Sequence, residues 1–163
     1  MFAYDASEWT DFFVAVAGAS AALAGLVFVA VSINIDRILK FKGLPERALE
    51  TVLLLMTVLL VSLAGLIPGQ SATALGVELL LLALALGAGV ARLPLGSGDP
   101  DAAPGRRRSR WVIRAIVVLP LLLGGITVIA EAGGGLYWVV ASIALGIVGA
   151  ITNAWVLLVE ILR

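Results

Sequence analysis

The stretch FFVAVAGASAALAGLVFVAVSINI (Phe12–Ile35) decides the class of this protein, because it runs for 24 residues without a charge. A helix rises 1.5 Å per residue, so about 20 such residues cross the hydrocarbon core of a bilayer. The leading segment MFAYDASEWTD is acidic, and the apolar run is too long for a cleavable secretory signal. The stretch is therefore expected to stay in place as a membrane helix. Working outward, further runs of the same kind cover Ala48–Ile67, Thr73–Ala91, Trp111–Ala130 and Leu136–Val159. Pro68-Gly69-Gln70-Ser71 and Gly133-Gly134-Gly135 divide stretches too long for single helices, and such residues end helices in tight turns. The second and third spans, and the fourth and fifth, are expected as antiparallel neighbours. The expected fold is all-α: one transmembrane domain, a polytopic bundle of five spans.

Composition agrees and narrows the chemistry. Of 163 residues, 61% are apolar and 13% charged, with a mean hydropathy of +1.11. Soluble domains are ~45–50% apolar and ~25% charged, and a chain this short has too small an interior to hide the excess. There is no cysteine and no histidine. That removes disulfides, zinc and haem sites, Cys–His nucleophiles and Ser–His–Asp triads. The only lysines, Lys40 and Lys42, fall together in a loop, which removes an intramembrane retinal-type Schiff base. No set of paired carboxylates or nucleophile and base can be assembled. The expectation is a protein that is not an enzyme and carries no cofactor or metal.

Net charge is zero, yet sorting charges by loop separates them completely. Arg37, Lys40, Lys42, Arg47, Arg92, Arg106, Arg107, Arg108, Arg110, Arg114 and Arg163 all fall on one side, which accounts for all 11 basic residues. Asp5, Glu8, Asp11 and Glu131 mark the other side. Basic residues collect in cytoplasmic loops, so the N-terminus is expected outside and the C-terminus inside, in a cell membrane. Trp9, Tyr137 and Trp138 fall at the expected outer boundary, and Phe41, Trp111 and Trp155 near the inner one. Amphipathic rings settle at headgroup level.

The inner loop Asp36–Arg47 mixes Ile38, Leu39 and Phe41 with basic residues, and is expected to extend the first helix towards the interface. Pro45 suits the first turn of the next helix, with Glu46 near its positive end. The second inner segment, Leu93–Arg110, is rich in Gly, Pro and Asp and is expected to be mobile. Its Arg106, Arg107, Arg108 and Arg110 could touch anionic lipid, at ~1 kcal/mol per residue near the surface. The positive-inside rule accounts for the same cluster without any such role. Nothing aromatic is interleaved with these arginines, which argues against nucleic acid as a partner.

Helix association in lipid depends on small residues and a few polar ones. At 100° per residue, Gly18, Ala22 and Gly25 share one face of the first span, and Ser142, Gly146 and Gly149 one face of the last, with Asn153 and Glu160 continuing it. These are expected to be helix-packing faces, either within the bundle or between subunits. Pro120, followed by Gly124 and Gly125, is expected to bend the fourth span. Ionisable residues inside a membrane mark a pathway or a pair. Glu78 lies ~8 Å inside the outer end of its helix at the standard rise. It either serves a proton-coupled path, reaches headgroup water, or bonds a neighbour such as Thr127 or Ser142. Near the inner boundary Glu50 or Glu160 could pair with Arg114, with Asn153 close by. The bland account is a network fixing helix register; the sharper one is an ion or proton vestibule.

The opening WTDFFVAVAGASAALAGLVFVAVSINIDRIL (Trp9–Leu39) resembles that of small uncharacterised bacterial multi-span membrane proteins. The resemblance covers about the first quarter of the chain and implies a bacterial inner-membrane protein; it carries no activity and no functional residues. Small multidrug transporters use an acid within their first helix, and this first span has none. Two functions follow as expectations. One is a non-enzymatic membrane protein assembling as a homo-oligomer or as an accessory subunit with other membrane subunits. The other is an oligomeric ion or proton channel or transporter using Glu78, Glu50, Asn153, Glu160 and Arg114.

Overall fold

The computed structural model describes residues 3–41, 43–93 and 104–162, with the side chains of 104–113 and 160–162 outside the description. Among the described residues, a short 3-10 turn at Ala6–Trp9 is followed by six helices. They are α1 (Thr10–Ile33), α2 (Ile35–Ile38), α3 (Leu44–Gly65), α4 (Ala72–Arg92), α5 (Pro104–Ile129) and α6 (Leu136–Leu162). The described residues contain no strand. Four helical stretches are long and apolar enough to cross a membrane: Ala6–Ile33, Leu44–Gly65, Ala72–Arg92 and Leu136–Val159. The fifth expected span coincides with α5, whose described apolar part, Arg114–Ile129, is shorter than these.

The short connections make antiparallel neighbours. Tight turns join α3 to α4 and α5 to α6 at one end, here the turn end; α1 reaches α3 at the opposite, loop end. Helices α3, α4, α5 and α6 close a ring: α3 lies against α4 and α6, and α5 against the same two. The main neighbour of α1 is α3. The ring's core is stacked in layers. Val58, Val61, Leu79, Leu121, Val139 and Ile143 fill the turn-end half, and Leu54, Leu55, Leu86, Val117 and Ala150 the next layer. At the loop end Ile38, Leu44, Ala48 and Leu157 form a small separate cluster.

Local chemistry sets the helix ends. Ser71 caps α4, its Oγ accepting from Ala74 N at 3.2 Å, which satisfies one of the orphan amides of the first turn. Gly43, at φ +90°, precedes α3, and Pro45 occupies its first turn. Asn34 interrupts the run from α1 to α2 and its Nδ2 bonds back to Ala30 O at 2.9 Å. The extension towards the interface is thus a separate turn, and it brings Ile38 inward to 1% exposure.

The turn end is closed by the N-terminal segment. Gly133, Gly134 and Gly135 adopt φ of +85°, +113° and +51°, a conformation glycine takes without a Cβ penalty. Leu136 N then donates to Ala3 O at 2.7 Å and Gly134 N to Tyr4 Oη at 3.3 Å. Trp9 meets Tyr137 edge to face at 5.0 Å, and Trp138 Nε1 donates to Gly133 O at 2.9 Å. Asp5 caps the 3-10 turn: Ser7 N and Oγ donate to its Oδ1 at 3.0 and 2.7 Å. These bonds, the side-chain one foremost, hold its carboxyl below the usual carboxylate range.

Within the segment Leu93–Arg110, Leu93 is buried after the end of α4, and the backbone is helical from Pro104. Residues 94–103 lie outside the described residues.

Candidate functional site

The most organised polar site lies at the loop end of the ring. Arg114 on α5 donates from Nε to Glu50 Oε1 on α3 at 3.1 Å. Its Nη1 donates to the carbonyl of Leu93, which ends α4, at 3.2 Å. The two charged side chains are 7% and 18% exposed. A fixed guanidinium fork makes this possible, since its donors diverge in one plane. Placing a cation on the last carbonyl of α4 also answers the partial negative charge there. Three helices are therefore tied at one point by a buried ion pair and a charge-assisted bond. Such a pair fixes register more than it adds stability, because desolvation offsets much of the attraction. Asn153 is half-buried on α6; the side chain of Glu160 lies outside the described residues, as do those of Arg106, Arg107, Arg108 and Arg110.

The middle of the ring is lined by apolar side chains of the two core layers. A cavity of about 10 Å³ sits among Leu54, Thr57, Val58, Leu86, Leu121 and Ser142, room for about one water. The hydroxyls that could line a route are committed locally. Thr57 Oγ1 donates to Leu53 O at 2.8 Å and Ser62 Oγ to Val58 O at 2.9 Å, the usual bond back along a helix. Ser142 differs. Its Oγ crosses to α5 and donates to Val117 O at 2.9 Å. That carbonyl lies in the turn preceding Pro120, one residue after the Ile116 carbonyl that the proline leaves without its helical donor.

Glu78 is half-buried near the turn end of α4, and its Oε2 is buried with no hydrogen-bond partner. Neither neighbour considered from the sequence serves it. Thr127 Oγ1 donates to Leu123 O at 2.6 Å, and Ser142 is taken by Val117. Ala85, on the same helix face, is exposed.

The small residues divide. On α6, Ser142 is buried, a Cβ on Gly146 would lie 3.1 Å from Val58 of α3, and one on Gly149 would lie 3.4 Å from Leu54. On α1, Gly18, Ala22 and Gly25 are exposed, and a Cβ on Gly18 or Gly25 would meet nothing within 4 Å. Among the described residues the α1 row thus makes no packing face. The most deeply seated apolar side chain of α1 is Phe13, 2% exposed, whose ring lies on Gly65 of α3, and Val16, Leu23, Ala24 and Val27 pack along the same bundle.

One close approach of two helices has no side-chain signal in the sequence. A Cβ on Gly125 would stand 2.9 Å from Gly76 O, and one on Gly76 would stand 2.8 Å from Gly125 O, so α4 and α5 touch backbone to backbone. Gly124 likewise faces Val139 of α6. Read from the chain, Gly124 and Gly125 signal a bend after Pro120; in the fold they are contacts on two different neighbours. The role of the Leu93 carbonyl has no side-chain signal at all. Searches of protein-family models, curated proteins and solved structures return no match to this chain.

Proposed function

We propose that this is a non-enzymatic integral protein of the bacterial inner membrane that assembles through α1, with a second copy or as an accessory subunit of a larger membrane complex. The observation that carries this reading is the open face of α1. A helix of membrane-spanning length has its glycine–alanine row turned away from its own bundle. In lipid that row is what lets two backbones approach closely. Five spans, with the N-terminus outside, complete the proposal. Helix α5 follows α4 from the Gly76–Gly125 contact to the Leu93–Arg114 bond, which supports counting it as a span. The basic residues all belong to the loop end, which supports a cytoplasmic loop end.

The chain lacks cysteine, so introduced thiols report alone. Ala22→Cys and Gly25→Cys are expected to give disulfide-linked dimers in native membranes, or adducts with another subunit, while the buried Ala83→Cys gives none. Equal cross-linking at all three positions would count against an α1 interface. Ser7→Cys, at the turn end, is expected to react with a membrane-impermeant maleimide in intact cells; labelling only after lysis reverses the topology.

The unpartnered Oε2 of Glu78 favours a second reading, a proton-coupled path. Against it stand the hydroxyls of the centre, which are committed to backbone carbonyls. In liposomes, proton flux abolished by Glu78→Gln supports transport, and no flux above empty liposomes ends that reading for the isolated protein.

A further inference from the structure

Beside the Glu50–Arg114 pair, α4 and α5 separate into a cavity of about 180 Å³. Its walls are apolar and small, from Gly87, Val90 and Ala91 on one helix and Ala115 and Val118 on the other. Arg114 forms its loop-end wall. Ala91 and Leu119, also on its lining, are exposed, so the groove opens sideways out of the bundle, where a membrane places acyl chains.

The polar end is built, and not incidental. Arg114 is nine-tenths buried, and the bonds to Glu50 and Leu93 use Nε and Nη1; neither uses Nη2. A guanidinium has five N–H donors, so these two bonds leave others that a phosphate oxygen can accept from. Glu50 balances the charge of Arg114, so net attraction comes from its surroundings. Arg92, at the end of α4 and next to the Leu93 carbonyl that Arg114 bonds, is the basic residue beside it. An acceptor-rich anion joined to an acyl chain matches both ends of the groove.

We propose that the α4–α5 groove is a binding site for one anionic membrane lipid, with an acyl segment against Gly87 and Ala115 and the headgroup phosphate accepting from Arg114. This goes beyond assembly through α1, and rests only on the loop end facing an anionic leaflet, which maleimide accessibility tests separately. It also differs from diffuse attraction to the arginine cluster, because shape and charge are both required.

The test uses full-length protein in vesicles of phosphatidylcholine and phosphatidylglycerol, released and weighed by native mass spectrometry. Phosphatidylglycerol is expected to be retained about fivefold over its share of the vesicle, as one near-surface basic contact implies. Gly87→Leu and Ala91→Leu fill the groove and leave the Glu50–Arg114 pair intact; a Cβ at Gly87 meets Val118 only at an ordinary 3.6 Å. Each is expected to abolish the enrichment while the far-UV spectrum stays unchanged. Replacing Arg106, Arg107 and Arg108 by Gln is expected to leave at least one phosphatidylglycerol bound. Retention unchanged in both folded groove variants, or lost only with the arginine cluster, overturns the proposal. So does displacement of the lipid by millimolar glycerol phosphate, which has a headgroup and no chain.

Discussion

Helices α1 and α6 each carry a row of small residues, and the bundle uses them in opposite ways. Ser142, Gly146 and Gly149 of α6 press against α3 and α5, whereas Gly18, Ala22 and Gly25 of α1 face outward. The difference is one of neighbours. Helix α6 closes a ring and has α3 and α5 on two sides; α1 has α3 as its main contact and seats Phe13 on Gly65. A small-residue row states that a backbone can be approached closely. It does not state by what.

The comparison breaks first where the ring is tied by charge. Glu50→Ala leaves Arg114 buried without its acid, and loss of one partner of a buried pair costs about 3–5 kcal/mol. Denaturant titration in detergent micelles is expected to register this as the largest destabilisation; a loss under 1 kcal/mol would mean the pair is already hydrated. Gly146→Leu forces a side chain into Val58 and is expected to cost about 1–3 kcal/mol by overpacking. If its stability equals wild type, the α6 row is not a packed face. Ser142→Ala removes a cross-helix bond and is expected to cost about 0.6–1 kcal/mol, with altered amide exchange near Pro120.

On α1 the expectation reverses. Gly25→Leu meets open space, so the stability of the isolated chain is expected to move by less than about 0.5 kcal/mol, while cross-linking through Ala22→Cys is lost. Destabilisation equal to that of Gly146→Leu would show that the two rows are alike after all. The smallest effect concerns the N-terminal strap. Asp5 has a carboxyl held below its ordinary range, so its contribution is present at neutral pH and is lost as pH falls through the folded value. Exchange of the Ser7 amide is expected to quicken only in that acid range, and Asp5→Asn to remove the pH dependence.

Much of this architecture could be read from the chain. Pro68 to Ser71 and the three glycines at 133–135 do mark the turns, because no helix continues through them. The Glu50–Arg114 pair was among the combinations that equal depth allowed. Glu78 was visible as an acid in an apolar helix, but its lack of a partner was not, since Thr127 and Ser142 bond to backbone instead. The Gly76–Gly125 approach and the acceptor role of the Leu93 carbonyl leave no sign in the sequence, for a common reason. A backbone contact or a backbone carbonyl leaves no side chain in the pattern to reveal it.

The sequence by itself determined that this chain is helical, membrane-compatible in composition and segregated in charge. Those properties follow from local hydropathy and the spacing of breaks, which need no partner to be defined. Only the tertiary structure decided which helix stands at the edge, which glycines meet, which acid Arg114 takes, and where α4 and α5 part to leave a groove. Each of these depends on two segments distant in sequence approaching within a few ångströms. In an apolar environment several faces of one helix satisfy hydropathy equally, so packing geometry alone chooses among them.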